Sequence, residues 1–297
     1  MNIEKPEDVT AAVLAVMQRT HDPRLREIML SLIKHLHGFI TEVGLTEAEF
    51  RLATDLINEL GQRSNDSHNE TVLMAGSLGV SALVCLLNNG DKGARETSHN
   101  LLGPFWRLHS PRMENGASIV RSDTPGPKMF TEFTVVDPEG QPVADAEVDI
   151  WHASPVGYYE NQDPEQAHMN LRGKFITDAQ GRVSFWSVRP KGYPIPTDGV
   201  VGRLLDAQSR HPYRPAHVHA LVFKPGFKTL ISQIYLAGDP HMDTDVQFGV
   251  TRALTAHLGE HHEPPPGSPE ATLPWYSLKH VLHIEPGEAK LPRPPIR

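Results

Sequence analysis

A chain of 297 residues, 39% of them hydrophobic, holds ample material for a core, in one large domain or two ordinary ones. A formal net charge of -8 with no basic tract argues against nucleic acid or an anionic membrane surface as the main partner. The single cysteine, Cys85, excludes an intrachain disulfide and suits the cytoplasm, and the absence of an apolar run of signal or spanning length predicts neither processing nor membrane insertion.

From residue 6 to about 90 the apolar period is helical. Pro6 suits a first turn, with Val9, Val13 and Val16 on one stripe, and Leu25, Ile28, Met29, Leu32, Ile33 and Leu36 make a second, cleaner stripe. Thr46 with Glu49 has the spacing of a capping box and opens a helix that carries Phe50, Ala53, Leu56, Ile57 and Leu60, with Gly61 as its stop. Ser67 with Glu70 opens a last helix, apolar on more than one face, that runs to Asn89 and Gly90. Four helices with surplus apolar surface suggest a linker, a lid or a subunit contact.

Beyond residue 100 prolines become frequent and the apolar period changes to two. Phe130 to Val136 precedes the turn Asp137-Pro138-Glu139-Gly140, and Val148, Ile150 and His152 alternate with polar neighbours. Asp178-Ala179-Gln180-Gly181 between Ile176-Thr177 and Val183 to Val188 reads as a hairpin. Lys224-Pro225-Gly226 between Ala220 to Phe223 and Leu230 to Tyr235 reads as another, and Trp275 to Ile284 forms a last strand after a Pro-rich loop. The fold class is therefore mainly β: a C-terminal β-sandwich domain over 101–297, preceded by an α-helical domain over 1–100.

Two histidines stand out at the head of one predicted strand, in Arg214-Pro215-Ala216-His217-Val218-His219. Side chains two apart on a strand leave the same face, so His217 and His219 aim at one point and supply half a metal site, or else merely decorate a strand edge. Two loops, Trp151 to Tyr159 and Pro190 to Gly199, each hold a tyrosine just past a glycine. A single loop tyrosine ordinarily packs its ring and wets its hydroxyl. Beside paired histidines the tyrosines gain a second meaning, because a phenol ionises at neutral pH only on a strongly Lewis-acidic cation, and hard trivalent iron suits phenolate oxygen better than zinc does.

The ordered runs Leu102-Gly103-Pro104-Phe105, Val148-Asp149-Ile150-Trp151-His152, Gly157-Tyr158-Tyr159, Asn170-Leu171-Arg172-Gly173, Tyr193-Pro194-Ile195-Pro196 and Arg214 to His219 followed by Gln233 resemble the intradiol ring-cleavage dioxygenases over nearly the whole chain. The resemblance implies a non-haem Fe(III) held by Tyr159, Tyr193, His217 and His219, with Tyr158 one residue too early. It implies Arg214 and Gln233 beside the substrate ring, with a structural salt bridge as the alternative role for Arg214. It further implies Tyr193 as proton acceptor, and a pocket wall of Leu73, Gly76, Gly103, Pro104, Phe105 and Ile195.

Within that family, Phe185-Trp186-Ser187-Val188 and Tyr193 to Gly202 look most like the hydroxyquinol 1,2-dioxygenases, which open benzene-1,2,4-triol with O2 to 3-hydroxy-cis,cis-muconate, a maleylacetate precursor. Gly76 departs from that subgroup, where an acidic residue is expected, so catechol or a substituted catechol, opened to a cis,cis-muconate, is the alternative. The family also implies a homodimer through the N-terminal helices, with a phospholipid at the helical interface. Two readings of other classes stand beside it: an iron-free β-sandwich binding module, and a zinc hydrolase built on His217 and His219, for which the sequence offers no convincing third ligand.

Overall fold

The computed structural model describes residues 3–66, 68–89, 99–265 and 272–296. It divides into two compact units, Met1–Glu59 and Leu60–Arg297. In the first, α1 (Pro6–Met17) packs on α2 (Pro23–Val43), and α3 (Glu47–Arg63) begins there. Asp22 caps α2 by accepting the Leu25 N–H, and the Thr46/Glu49 capping box forms as read, each residue accepting the other's backbone N–H at 2.9 and 3.3 Å. Gly61 does not stop α3, which continues to Arg63; with neighbours suited to helix, one glycine costs only about 1 kcal/mol. None of the 21 residues of α2 is buried.

The last predicted helix is two, α4 (Glu70–Ser77) and α5 (Val80–Asn89), bent by 75°. Gly79 sits between them at φ +71°, a left-handed conformation that ends the first helix and redirects the chain. Ser67 lies outside the described residues; the side chain that caps α4 is that of Asn69, accepting from the Val72 N–H at 2.9 Å. Among the described residues no single helix is long and apolar enough to cross a membrane.

The strands form two facing sheets. One is ordered β10 (Gly259–His261), β11 (Trp275–His283), β1 (Lys128–Val136), β4 (Arg182–Val188); the other β3 (Arg172–Ile176), β2 (Glu147–Trp151), β7 (His217–Phe223), β8 (Leu230–Leu236), β9 (Thr255–Ala256). A two-residue ribbon pairs β5 (Tyr193–Pro194) with β6 (Tyr213–Arg214). Phe133, Val135, Phe185, Leu278 and Leu282 from the first sheet meet Val148, Ile150, Phe175, Val218 and Ile234 from the second in a dry core.

The β7–β8 hairpin forms as expected, but the one proposed around Asp178 does not. Its turn is present, with the Asp178 carboxylate accepting the Gln180 and Arg182 N–H groups, yet β3 and β4 then enter opposite sheets, because Gly181 O accepts from Val135 N and draws β4 onto β1. A further helix, α6 (Val200–Ala207), follows the loop Pro190 to Gly199 in a stretch where the sequence reading placed no element. Its cap is not local: Glu70 of α4, 1% exposed, accepts the Val201 N–H at 2.9 Å.

Candidate metal centre

Alternation on β7 sends Val218, Ala220 and Val222 into the sandwich core and leaves His217 and His219 on the outer face of the second sheet. Strand register then sets their neighbours. Trp151 of β2 and Gln233 of β8 flank His219, and Tyr235 lies opposite His217. The Trp151 indole stacks on the His219 ring, with centroids 4.5 Å apart and planes at 11°. His152, just past the end of β2, points to the core instead and bonds Ser187 of the other sheet, so it belongs to the sandwich and not to this cluster.

Both tyrosines close over this face. Tyr159 is 1% exposed whereas its neighbour Tyr158 is 49% exposed, and Tyr193 projects from β5. Their hydroxyls are 3.2 Å apart, and the Nε2 atoms of His217 and His219 are also 3.2 Å apart. The Tyr193 ring lies 5.5 Å from that of His217, and the Tyr159 ring 6.4 Å from that of His219. Phe105 fixes Tyr159 from one side at 4.6 Å. The Arg172 guanidinium lies 5.8 Å from the same ring, itself tied to Glu160 and to Phe105 O at 2.7 Å each.

Electrostatics prepare this cluster for a cation. Burial, and next the charge of Arg214, drives His217 down to about 3. Burial, and next His217, drives His219 well below the ordinary imidazole range, so both rings are neutral and offer lone pairs. His217 Nδ1 donates to Pro215 O at 2.7 Å, which leaves Nε2 as the free donor atom. Burial raises both phenols, Tyr159 the further because Tyr193 adds to it, while Arg214 restrains Tyr193. Without a cation the phenols keep their protons.

These residues fit a hard, strongly Lewis-acidic ion. Donor atoms about 2 Å from one cation stand roughly 3 Å apart, the spacing found within each pair. Among the described residues no group of three or more His, Cys, Asp or Glu is placed to hold a metal. The side-chain atoms that converge with the two imidazoles are the phenol oxygens of Tyr159 and Tyr193, and no carboxylate or thiol joins them among the described residues.

Arg214, 2% exposed, spans this cluster and a network that the sequence did not reveal. Its Nε and Nη2 donate to the two carboxylate oxygens of Asp245 at 3.0 and 3.1 Å. Nη2 also reaches Gln233 Oε1 and Tyr235 Oη, while Nη1 lies 3.5 Å from His217 Nε2. Gln233 donates through Nε2 to Leu101 O at 2.6 Å. Burial opposes charge on both members of the ion pair, but Asp245 holds Arg214 well above its ordinary range and Arg214 holds Asp245 below its own. Arg214 therefore forms the buried salt bridge that was its alternative role and still turns Nη1 toward the histidines.

A cavity of about 700 Å³ opens beside this cluster, lined in part by Gly76, Leu101, Leu102, Gly103, Pro104 and Gln247. Gly103, at φ +72°, is the point of closest approach: a Cβ there would stand 3.3 Å from His219 Cε1. Leu73, Phe105 and Ile195 are buried but do not line the cavity. Sequence reasoning missed Asp245 and Gln247. An acidic residue two positions before a glutamine carries no motif, and only the fold brings the pair to Arg214 and Gly76.

Two family models match the chain, described as "Dioxygenase" over residues 101–274 and "Catechol dioxygenase N terminus" over 22–95. The chain is 42% identical over 246 residues to a hydroxyquinol 1,2-dioxygenase of Rhizobium sp. (strain MTP-10005), covering 82% of each chain. It is 40% identical over 238 residues to a catechol 1,2-dioxygenase of Candida albicans, covering 80% of this chain and 78% of that one. The solved structure of hydroxyquinol 1,2-dioxygenase from Pseudomonas putida DLL-E4 superposes with a TM-score of 0.85 at 31% identity, over 95% of this chain and 99% of that one.

Proposed function

The chain belongs to the intradiol ring-cleavage dioxygenases, and from that membership we propose that it opens an aromatic 1,2-diol between its hydroxyl-bearing carbons, with hydroxyquinol as the preferred substrate. Both atoms of O2 enter the product, one at each new carboxyl carbon. The observation that carries this reading is the convergence of two buried phenols and two neutral imidazoles beside a cavity with room for an aromatic ring.

In this reading Tyr159, Tyr193, His217 and His219 hold a non-haem Fe(III). When bound, that ion supplies Lewis acidity, stabilising a doubly deprotonated diol and drawing electron density from its ring so that the ring meets O2. The chain's own residues do the rest. Tyr159 is wedged between Phe105 and the Arg172 side, whereas Tyr193, also buried, stands on the two-residue strand β5, and the family resemblance assigns it the proton-accepting role. Tyr193 Oη accordingly accepts one of the two diol protons. Arg214 Nη1, fixed by Asp245 behind it, stabilises negative charge as it develops on the ring, and Gln233 holds the guanidinium in register. Leu101, Leu102 and Pro104 give the cavity an apolar wall for the ring to pack against.

Catechol or a substituted catechol is the second reading, favoured by one observation: Gly76 presents no carboxylate to the cavity. The exposed apolar side chains of Leu25, Leu32, Leu36 and Phe50 support a homodimer through the N-terminal helices, with a phospholipid against the same apolar surface. Oxygen uptake by iron-loaded protein with hydroxyquinol and catechol tests the reaction. Loss of the visible tyrosinate absorption in Tyr159→Phe and Tyr193→Phe tests the ligands. No uptake with any 1,2-diol would sink the reading, and so would a colourless reconstituted protein, which is the behaviour of an iron-free module.

A further inference from the structure

Position 76 faces the cavity without a side chain, yet the space a side chain would take is filled. A Cβ built on Gly76 would stand 2.9 Å from both Cδ and Nε2 of Gln247 and 3.2 Å from its Oε1. Gln247 comes from the segment after β8, far from α4 in sequence, and is 3% exposed. It lines the same cavity as Gly103, whose near contact is His219. Its carboxamide makes no hydrogen bond among the described residues, although its backbone N–H donates to Asp245 Oδ1 at 3.2 Å. The amide is not sealed off from solvent, so it faces the cavity with its acceptor and donors open to whatever enters. Its anchor is also the carboxylate that holds Arg214, so the amide and the guanidinium are referenced to one fixed point.

We propose that the Gln247 carboxamide, seated where a side chain at position 76 would otherwise lie, is the group that reads a third polar substituent on the diol ring. The inference rests on the diol-cleaving reading above and specifies its substrate class. Oε1 accepts from a ring hydroxyl and the NH2 group donates to its oxygen. A ring hydrogen or chlorine at that position leaves both unpaired, and a site built to pair a hydroxyl discriminates far more sharply than one that merely has room. Gly76 and Gln247 are thus one device in two pieces: the glycine supplies the space and the glutamine supplies the recognition.

The test compares kcat/KM for benzene-1,2,4-triol and catechol in the iron-loaded full chain, together with calorimetric binding of the triol without oxygen. In Gln247→Leu the triol-to-catechol ratio falls by roughly 10- to 100-fold and triol binding weakens in step. Gln247→Met, which keeps length and volume, gives the same result where leucine disturbs packing. Gly76→Asp alone meets the amide and does not raise the ratio; combined with Gln247→Ala, which ends at Cβ, it restores the ratio, since a carboxylate then occupies the vacated space. An unchanged ratio and unchanged triol binding in both Gln247 variants, or a parent protein that prefers catechol, overturns the inference and leaves diol cleavage standing. A parent that opens neither compound overturns the diol reading itself.

Discussion

Replacing Asp245 by Asn leaves the shape of the buried network nearly unchanged and removes its charge balance. In the native chain the carboxylate takes two hydrogen bonds from Arg214 and also accepts the Gln247 and Gly249 N–H groups, with both charged side chains 2% exposed. An asparagine keeps one oxygen for these four donors and turns an NH2 group toward the rest. Removing one partner of such a pair costs about 3–5 kcal/mol, most of it the uncompensated guanidinium. At about 2–4 °C per kcal/mol for a unit of this size, the melting temperature drops by ~6–20 °C. Tryptophan fluorescence of the metal-free full chain is the assay, because all four tryptophans (Trp106, Trp151, Trp186 and Trp275) lie in the second compact unit. A double variant, Arg214→Met with Asp245→Leu, should recover much of the loss by removing both charges. A single variant within about 1 kcal/mol of the parent, or a double variant no more stable than the single, would refute the assignment of this energy to the buried charge.

Gly103→Ala puts a side chain at φ +72° and 3.3 Å from His219 Cε1, so it should cost about 1–2 kcal/mol and lower iron content after reconstitution; full iron occupancy by metal analysis would contradict the close approach. Acid should weaken the metal-free fold. Burial holds His152 and His99 at about 4, below the unfolded value, so the unfolded chain binds more protons as pH falls and stability present above pH 6.5 is lost toward pH 4. Asp149, pushed up to about 6 by burial, works the other way, but it is one group against five, because burial also holds His217, His219 and His280 low in the metal-free chain. The net expectation is a loss of at least about 2 kcal/mol between pH 7 and pH 5 in urea titrations, and a flat profile would count against it. Asn69→Ala removes the α4 cap and should cost about 1 kcal/mol in the same measurement; no change in the urea midpoint would show that the cap does not matter.

What the chain revealed in advance was whatever chemistry is local. The HxH spacing states its own face on a strand, and the Thr46/Glu49 box and the Lys224-Pro225-Gly226 turn each settle their geometry within a few residues. What it hid was supplied from a distance. Helix α6 follows Gly199, which has no capping side chain, and its missing acceptor arrives from Glu70, 131 residues away from Val201. The turn at Asp178 looks like any hairpin turn, and only the pull of Val135 on Gly181 shows that it changes sheets. Arg214 was legible as a buried cation beside the histidines, but the carboxylate that balances it sits in a loop with no pattern of its own.

The reach of Glu70 across to α6 also bears on how this scaffold can be recombined. Any side chain at position 199 would meet the Glu70 carboxylate, and Val201 depends on that same group for its N–H. The helix that carries Gly76 to the cavity and the segment that follows the Tyr193 ribbon therefore inherit each other's constraints. Chimaeras that exchange residues 70–89 between relatives will keep their shape only when residues 193–207 travel with them, and natural variation at 70 and 199 should drift as a pair and not as two independent sites.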